Sequence, residues 1–511
     1  MKRSLFKTLL AAVLVAVCLL TGASVFAAKD TVVITMNTEL ATLNPFRAKT
    51  GWDYPWMEPL FMRLAELDTE HGKMIPAIGV SWKILDNNKD FMVKLRQDIK
   101  FSNGDPVTAE DIKFSYEQYK DRKNAHVGRR IFKYITDVEI KDPTTLIFRM
   151  NKPYWNWSGL IRGACFIVPK KYYEAVGPKE FAKKPIGSGA FTLVKRMIGE
   201  GATYKVVANH PIYKPQFKTL KFKLVPDATV RVQLLKAGQA DLIWGVPPQD
   251  YASLKKTKVI KIYSLPYPSF FGLNFTTIFQ DNVISDLNLR LAINHAINRE
   301  EIADKLFFGQ ATPIYNFWDP TDKTYDPSFK YKYDPEKVRA LLKKSSYKPG
   351  TALTINFHAL LPNSEIVLQA VQNYLKQAGI TTKLRQWEGG TLRGKYIKKS
   401  REIAEMGTNY WPGGDRDPNV RLTLGIKKGS FFSLYHSSPE LDKMIDEQQF
   451  MTDAKERLVV LKKIYKMLFD DPAVCAFVSQ NLIYATNDSI DYKWVPFHSH
   501  LFNVHNIKIL K

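Results

Sequence analysis

The chain has 511 residues, 45% of them hydrophobic and 24% charged, with a formal net charge of +24. That length and apolar content exclude both a small staple-dependent scaffold and a disordered chain, and allow roughly two to four domains around a large core. Three cysteines exclude a disulfide framework. The basic excess, with no basic arm and no zinc-finger spacing, excludes an obvious nucleic-acid face; it reads as a solvated surface that mildly favours acidic partners.

In chain order, Lys2, Arg3 and Lys7 precede an apolar run from Leu9 to Leu20, and Val25-Phe26-Ala27 matches a small-residue cleavage site before Ala28. This predicts a signal peptide over residues 1–27 and a soluble, exported protein, the apolar run being short for a membrane span. Val17 is bulky where lipid attachment at Cys18 would want a small residue. Cys165 and Cys475 then remain, each inside an apolar run, and are expected as buried core thiols.

Thr31 to Met36 predicts a strand and Pro55 to Leu64 a helix-like run. Phe91 to Arg96 roughly alternates apolar and polar residues, as a half-buried strand does. Phe101-Ser102-Asn103-Gly104-Asp105-Pro106 then supplies turn chemistry, and Thr108 before Ala109-Glu110-Asp111 starts a capped helix carrying Ile112, Phe114 and Tyr116. Strands are expected at Thr145 to Phe148, after the turn Pro185 to Ala190, and at Ala240 to Trp244 following a short helix, Val230 to Lys236. Leu289, Ala292, Ile293, Ala296 and Ile297 recur on one face of a helical run from Leu287 to Phe308 that ends at Gly309. Asp334-Pro335-Glu336 caps another helix, Lys455 to Leu468 is helical, and Ala473 to Tyr484 has strand character.

The stretch from Lys94 to Glu117, KLRQDIKFSNGDPVTAEDIKFSYE, closely resembles the signature of the family 5 extracellular solute-binding proteins, the receptors of dipeptide and oligopeptide import systems. Pro185 to Leu193 resembles the family's glycine-rich segment, and Asn298-Arg299-Glu300-Glu301-Ile302 with Gly309 resembles the start of its last large domain. The resemblance runs over nearly the whole mature chain, in the family's order. It implies an α/β, periplasmic binding protein-like fold of type II (the large cluster C kind), with two lobes, a hinge and three domains. Domain I would be discontinuous, from 28–56, 187–269 and 482–511; domain II would span 57–186 and domain III 270–481. It also implies a periplasmic, monomeric component of an ABC transporter that captures peptides, oligopeptides rather than strict dipeptides, and delivers them to the transmembrane permease subunits. Composition and periodicity alone support only a large exported α/β protein.

The segment Tyr410-Trp411-Pro412-Gly413-Gly414-Asp415-Arg416-Asp417-Pro418 resembles the loop where peptide-binding members place an aspartate against the ligand's α-ammonium. A carboxylate held in a closed, poorly hydrated cleft suits that role, because it makes a strong charge-assisted hydrogen bond to a cation. Asp415 is the first choice and Asp417 the second, since Gly414 stands where members often carry the aspartate; Tyr410 and Trp411 would wall the site. An Asx-turn that merely shapes the loop is the competing reading. Thr50, Gly51 and Trp52 lie where relatives line the cleft, and Asn274 near the expected inter-domain crossing offers an amide to a peptide backbone or to the protein itself.

Dipeptide receptors tend to carry an arginine in the segment resembling Leu361-Pro362-Asn363-Ser364-Glu365, and this chain has none there. Arg393, Lys395 and Arg416 are the candidate replacements. His498, His500 and His505 lack zinc spacing and a completing carboxylate or cysteine, so no metal or other cofactor is expected. There is no His-Glu-x-x-His, Walker loop or Gly-x-Ser-x-Gly elbow, so an enzyme is not expected either. The rivals are other cargo on the same fold (an oligosaccharide, a nickel complex or a peptide conjugate), an exported peptide hydrolase, and a basic surface adhesin.

Overall fold

Thr31–Met36 buries Val32 and Ile34 completely, which is why this strand sits inside a sheet. The computed structural model describes residues 29–48, 53–68, 73–85, 88–124, 126, 128–163, 165–322, 324–358, 364–412, 417–430, 432–494 and 502–511. Thr31–Met36 runs parallel to Thr219–Leu224 on one side and to Leu242–Trp244 on the other. Gly201–Val206 and Phe191–Met197 extend the sheet at one edge; Leu482–Asn487 and Ile260–Leu265 extend it at the other, making seven strands. This sheet therefore gathers strands from the beginning, the middle and the end of the chain.

A four-stranded antiparallel sheet follows, ordered Gly79–Ile84, Phe91–Leu95, Thr145–Met150, Ile135–Asp142. Phe91 and Phe148 face each other across the ladder, with rings stacked 4.6 Å apart. The helix Ala109–Lys120 covers this sheet and buries Ile112, Phe114 and Tyr116. Its start is a reciprocal capping box: the Asp111 N–H donates to Thr108 Oγ1 at 3.3 Å, and the Thr108 N–H to Asp111 Oδ2 at 2.9 Å. Both sheets feed one hydrophobic core, so they form one lobe. The glycine-rich turn joins them: a Cβ at Gly187 would stand 2.1 Å from Leu60 O, and one at Gly189 2.4 Å from Pro59 O. Only glycine permits that approach, and Gly189 N then donates to Leu60 O and Phe191 N to Pro59 O.

The second lobe is built on a six-stranded sheet, ordered Ala311–Pro313, Val474–Gln480, Ser269–Phe275, Met406–Pro412, Leu353–Phe357, Thr382–Gln386. Leu353–Phe357 is parallel to both of its neighbours. Alternate residues of Ser269–Phe275 serve two cores. Phe271, Leu273 and Phe275 meet the helices Leu287–Ala296 and Ser364–Gln377, while Phe270 on the other face joins the core of Pro439–Glu447 and Ala454–Asp470. Cys165 and Cys475 are free and buried in different cores. No helix of the described residues is long and apolar enough to cross a membrane.

Three predicted elements come out differently. The run Pro55 to Leu64 is helical only at Tyr54–Met57, because the carbonyls of Pro59 and Leu60 serve the glycine turn instead. The helix from Leu287 stops at Ala296; Asn298 caps a new turn at Arg299–Glu301 by accepting from Glu301 N, and Ile302–Leu306 continues as π-helix. Ala473 to Tyr484 is two strands in two sheets, divided at Asn481.

That division marks one of two places where strands pass between the lobes. Leu265 leads through Pro266-Tyr267-Pro268 to Ser269, and Gln480 leads through Asn481 to Leu482. The two crossings are tied together: Ser479 Oγ donates to Tyr267 O at 2.6 Å, and Asn481 Nδ2 to Ser264 Oγ at 3.0 Å. Two short tethered crossings, the first with φ fixed by Pro266 and Pro268, form a narrow joint between two large cores.

Candidate ligand-binding cleft

In an open sheet with parallel strands, the loops beyond the carboxyl ends gather into a crevice. Here Leu353–Phe357, Thr382–Gln386 and Met406–Pro412 point the same way, so His358 and Trp387-Glu388 follow the same end of the sheet at which Met406–Pro412 finishes. Trp387 is held between Arg385, 4.3 Å from its ring centroid, and Lys395 at 4.4 Å, with its indole N–H donating to Asn356 Oδ1 at 2.9 Å. Glu388 caps the helix Gly389–Ile397, accepting from Gly390 N and Thr391 N at 2.7 Å each; those N–H groups hold its carboxyl below the usual range. His358 is half-buried, burial lowers its pKa, and its Nδ1 has no hydrogen-bond partner among the described residues.

The residues singled out from sequence divide into three sets. Thr50, Gly51, Trp52 and Asp415 lie outside the described residues, as do Arg416 and most of the segment 361–365. Trp411 and Asn274 are brought together, but against each other: Trp411 Nε1 donates to Asn274 Oδ1 at 3.0 Å, and both are buried. The Trp411 ring packs against Phe270 and Phe317, over a glycine, Gly425, where a Cβ would stand 2.0 Å from the indole. Tyr410 stands in register with Phe271 in the sheet. Asp417 has both carboxylate oxygens engaged inside the protein: Oδ2 accepts from Arg457 Nη1 at 2.6 Å, and Oδ1 from Arg457 Nη2 at 2.9 Å and Asn419 N at 2.8 Å. It fastens the end of the loop to the helix Ala454–Asp470.

Of the candidate cations, Lys395 is paired with Glu402 at 2.6 Å, and the Arg393 guanidinium lies 5.8 Å from the Phe432 ring centroid. His505 packs 4.0 Å from the Tyr213 ring, and no described group of three or more His, Cys, Asp or Glu side chains could hold a metal ion.

Sequence reasoning missed the residues of the first lobe that face this end. The Trp155 ring lies 4.0 Å from the Arg457 guanidinium, and Trp155 N donates to Gln449 O at 3.1 Å. Tyr134 meets Phe450 edge-on at 5.4 Å, Lys152 Nζ lies 4.6 Å from the same ring, and Asn88 Nδ2 donates to Thr452 Oγ1 at 2.6 Å. One signal was present: Arg457 falls on the stripe of Leu461, Ile464, Tyr465 and Leu468, so an arginine takes an apolar-face position.

Comparison with known proteins places this geometry. Residues 73–429 match the model of the bacterial extracellular solute-binding proteins, family 5. The chain is 26% identical to di/tripeptide-binding protein 3 of Pseudomonas aeruginosa, over 90% of this chain and 92% of that one. It is 24% identical to the glutathione-binding protein GsiB of Shigella boydii, over 97% of each. The structure of the periplasmic binding protein DppA from Helicobacter pylori with the peptide STSA superposes with a TM-score of 0.80 at 21% identity, over 95% of this chain and 99% of that one. The two-lobed α/β architecture is thus that of the periplasmic binding proteins, and with more than half its length matched by the family model, the chain belongs to the bacterial extracellular solute-binding proteins of family 5.

Proposed function

We propose that the protein is the periplasmic receptor of an ABC importer and captures peptides, oligopeptides rather than strict dipeptides, between two closing lobes. The observation that carries this reading is the joint. Two large cores communicate through two tethered strands at 265–269 and 480–482, and the carboxyl end of Met406–Pro412 lies in register with Ser269, beside that joint. A receptor of this design performs no chemistry; cargo shifts an open–closed equilibrium by its differential affinity for the two states. The names of the relatives, a di/tripeptide receptor and a glutathione receptor, support peptide-like cargo. The same proposal partitions the chain as 28–56, 187–269 and 482–511 for domain I, 57–186 for domain II and 270–481 for domain III. The closed form, a monomer, would dock on the permease subunits.

Asp415 takes the cargo's ammonium on this reading, because Asp417 already serves Arg457. The missing arginine near Asn363 and the net charge of +24 favour cargo with an extra acidic group, such as a peptide conjugate, as the second reading. Native mass spectrometry of the mature protein is expected to find copurified peptides, and Asp415→Asn to lose them with its fold intact. A copurified oligosaccharide, or full peptide retention in Asp415→Ala, would contradict the assignment.

A further inference from the structure

Arg457 does three things at once. The two ends of its guanidinium fork hold the Asp417 carboxylate at 2.6 and 2.9 Å. Nε and Nη2 also donate to the Gln448 side chain, at 3.2 and 2.7 Å, and Nε to the Gln448 carbonyl at 3.0 Å. Its face carries the Trp155 ring, which belongs to the other lobe. Only arginine combines a planar fork for bidentate pairing with a flat, weakly hydrated face for stacking; a lysine would keep the charge and lose both. Arg457 and Asp417 are buried, at 7% and 5% exposure, so the pair and the stack act in a poorly hydrated setting where a cation over an indole is strongest.

Everything else at this seam surrounds that contact. Phe450, Gln449 and Thr452 lie just before the helix Ala454–Asp470 and meet Tyr134, Lys152, Trp155 and Asn88 of the first lobe. The seam therefore ends on the same short segment, 448–457, that grips Asp417 at the end of the loop carrying Asp415.

We propose that Arg457 is a positioning residue which couples lobe closure to the cargo loop: Trp155 covers its guanidinium only when the lobes are together, and that cover holds the fork on Asp417. This deepens the receptor reading and rests on it. Opening the seam exposes the guanidinium face to water and weakens the grip on Asp417; closing restores it. Cargo held by the loop and the closed seam thus favour one another, as linkage requires.

Cross-linking across the seam tests this without any cargo. Asn88→Cys with Thr452→Cys replaces two side chains in direct contact, and the native Cys165 and Cys475 are buried away from the oxidant. Disulfide formation under diamide then reports how often the seam closes. Trp155→Ala in this background is expected to slow cross-linking about ten-fold, and Arg457→Lys comparably. Trp155→Phe, which restores an aromatic face, is expected to recover most of the rate. Circular dichroism and the melting temperature confirm that each variant is folded; Trp155→Ala, partly exposed at the seam, is the variant that decides if Arg457→Lys fails to fold. The proposal is overturned if folded Trp155→Ala cross-links at the parent rate, or if the parent pair does not cross-link at all. Failure to find peptide cargo would leave these rates unchanged, so the two readings fail separately.

Discussion

Arg421 and Asp322 form an ion pair whose side chains are both 0% exposed, with the guanidinium 5.6 Å from the Phe270 ring centroid and 5.9 Å from that of Phe317. Removing one partner strands the other in a core. Asp322→Ala or Arg421→Ala is therefore expected to cost about 3–5 kcal/mol in urea unfolding, whereas Asp322→Leu with Arg421→Met is expected to be far less damaging than the two losses summed. Additive losses would contradict this account of the pair. His126 is buried at 3% exposure, with Nε2 3.2 Å from the Tyr54 hydroxyl, and burial holds its pKa down to about 3. The unfolded chain takes up that proton near pH 6.5, so the folded state loses stability as the pH falls below that value and keeps it above. Urea unfolding at pH 5 is expected to show about 2 kcal/mol less stability from this group than at pH 7. His126→Gln should reduce that difference, and an unchanged pH slope would sink the assignment. At this scale the site was only partly legible. Asp417 reads from sequence as a free acid in a loop, since the arginine that occupies it comes from a distant helix, and Trp411 and Asn274 satisfy each other by a pairing that no local pattern records.

Elements were far more legible, because their causes are local. The Thr108 capping box is a four-residue pattern, and the structure adds why it matters: Asp111 also accepts from Lys170 N at 2.8 Å, tying two helices together. Thr108→Ala is expected to cost about 1–2 kcal/mol, toward the upper end for a cap, in thermal or urea unfolding; a loss within error of zero would contradict a role beyond the first turn. Elements failed to read where apolar period continues through a break. The stripe of Leu289, Ala292, Ile293 and Ala296 runs on into Ile297, but Asn298 restarts the helix with its own cap. Likewise both strands between Val474 and Asn487 are largely buried, and only the short polar step Ser479-Gln480-Asn481 marks the change of sheet, too brief to read as a boundary between two apolar runs.

For the whole molecule, the order of segments carried the fold through resemblance, and the physical content lies in the joint. A single lobe could not enclose cargo, and a wide interface would not let two lobes separate. Two tethered strands at 265–269 and 480–482, with the separate seam contacts at 448–457, are the arrangement that the proposed open and closed states require. The central claim is that peptide cargo stabilises the closed state, and thermal unfolding of the mature protein against peptides of increasing length tests it most directly. At a concentration about a hundred times its dissociation constant, a true cargo is expected to add about 2.7 kcal/mol and raise Tm in proportion. If peptides of every length and charge leave Tm where it stands without them, the protein is not a peptide receptor.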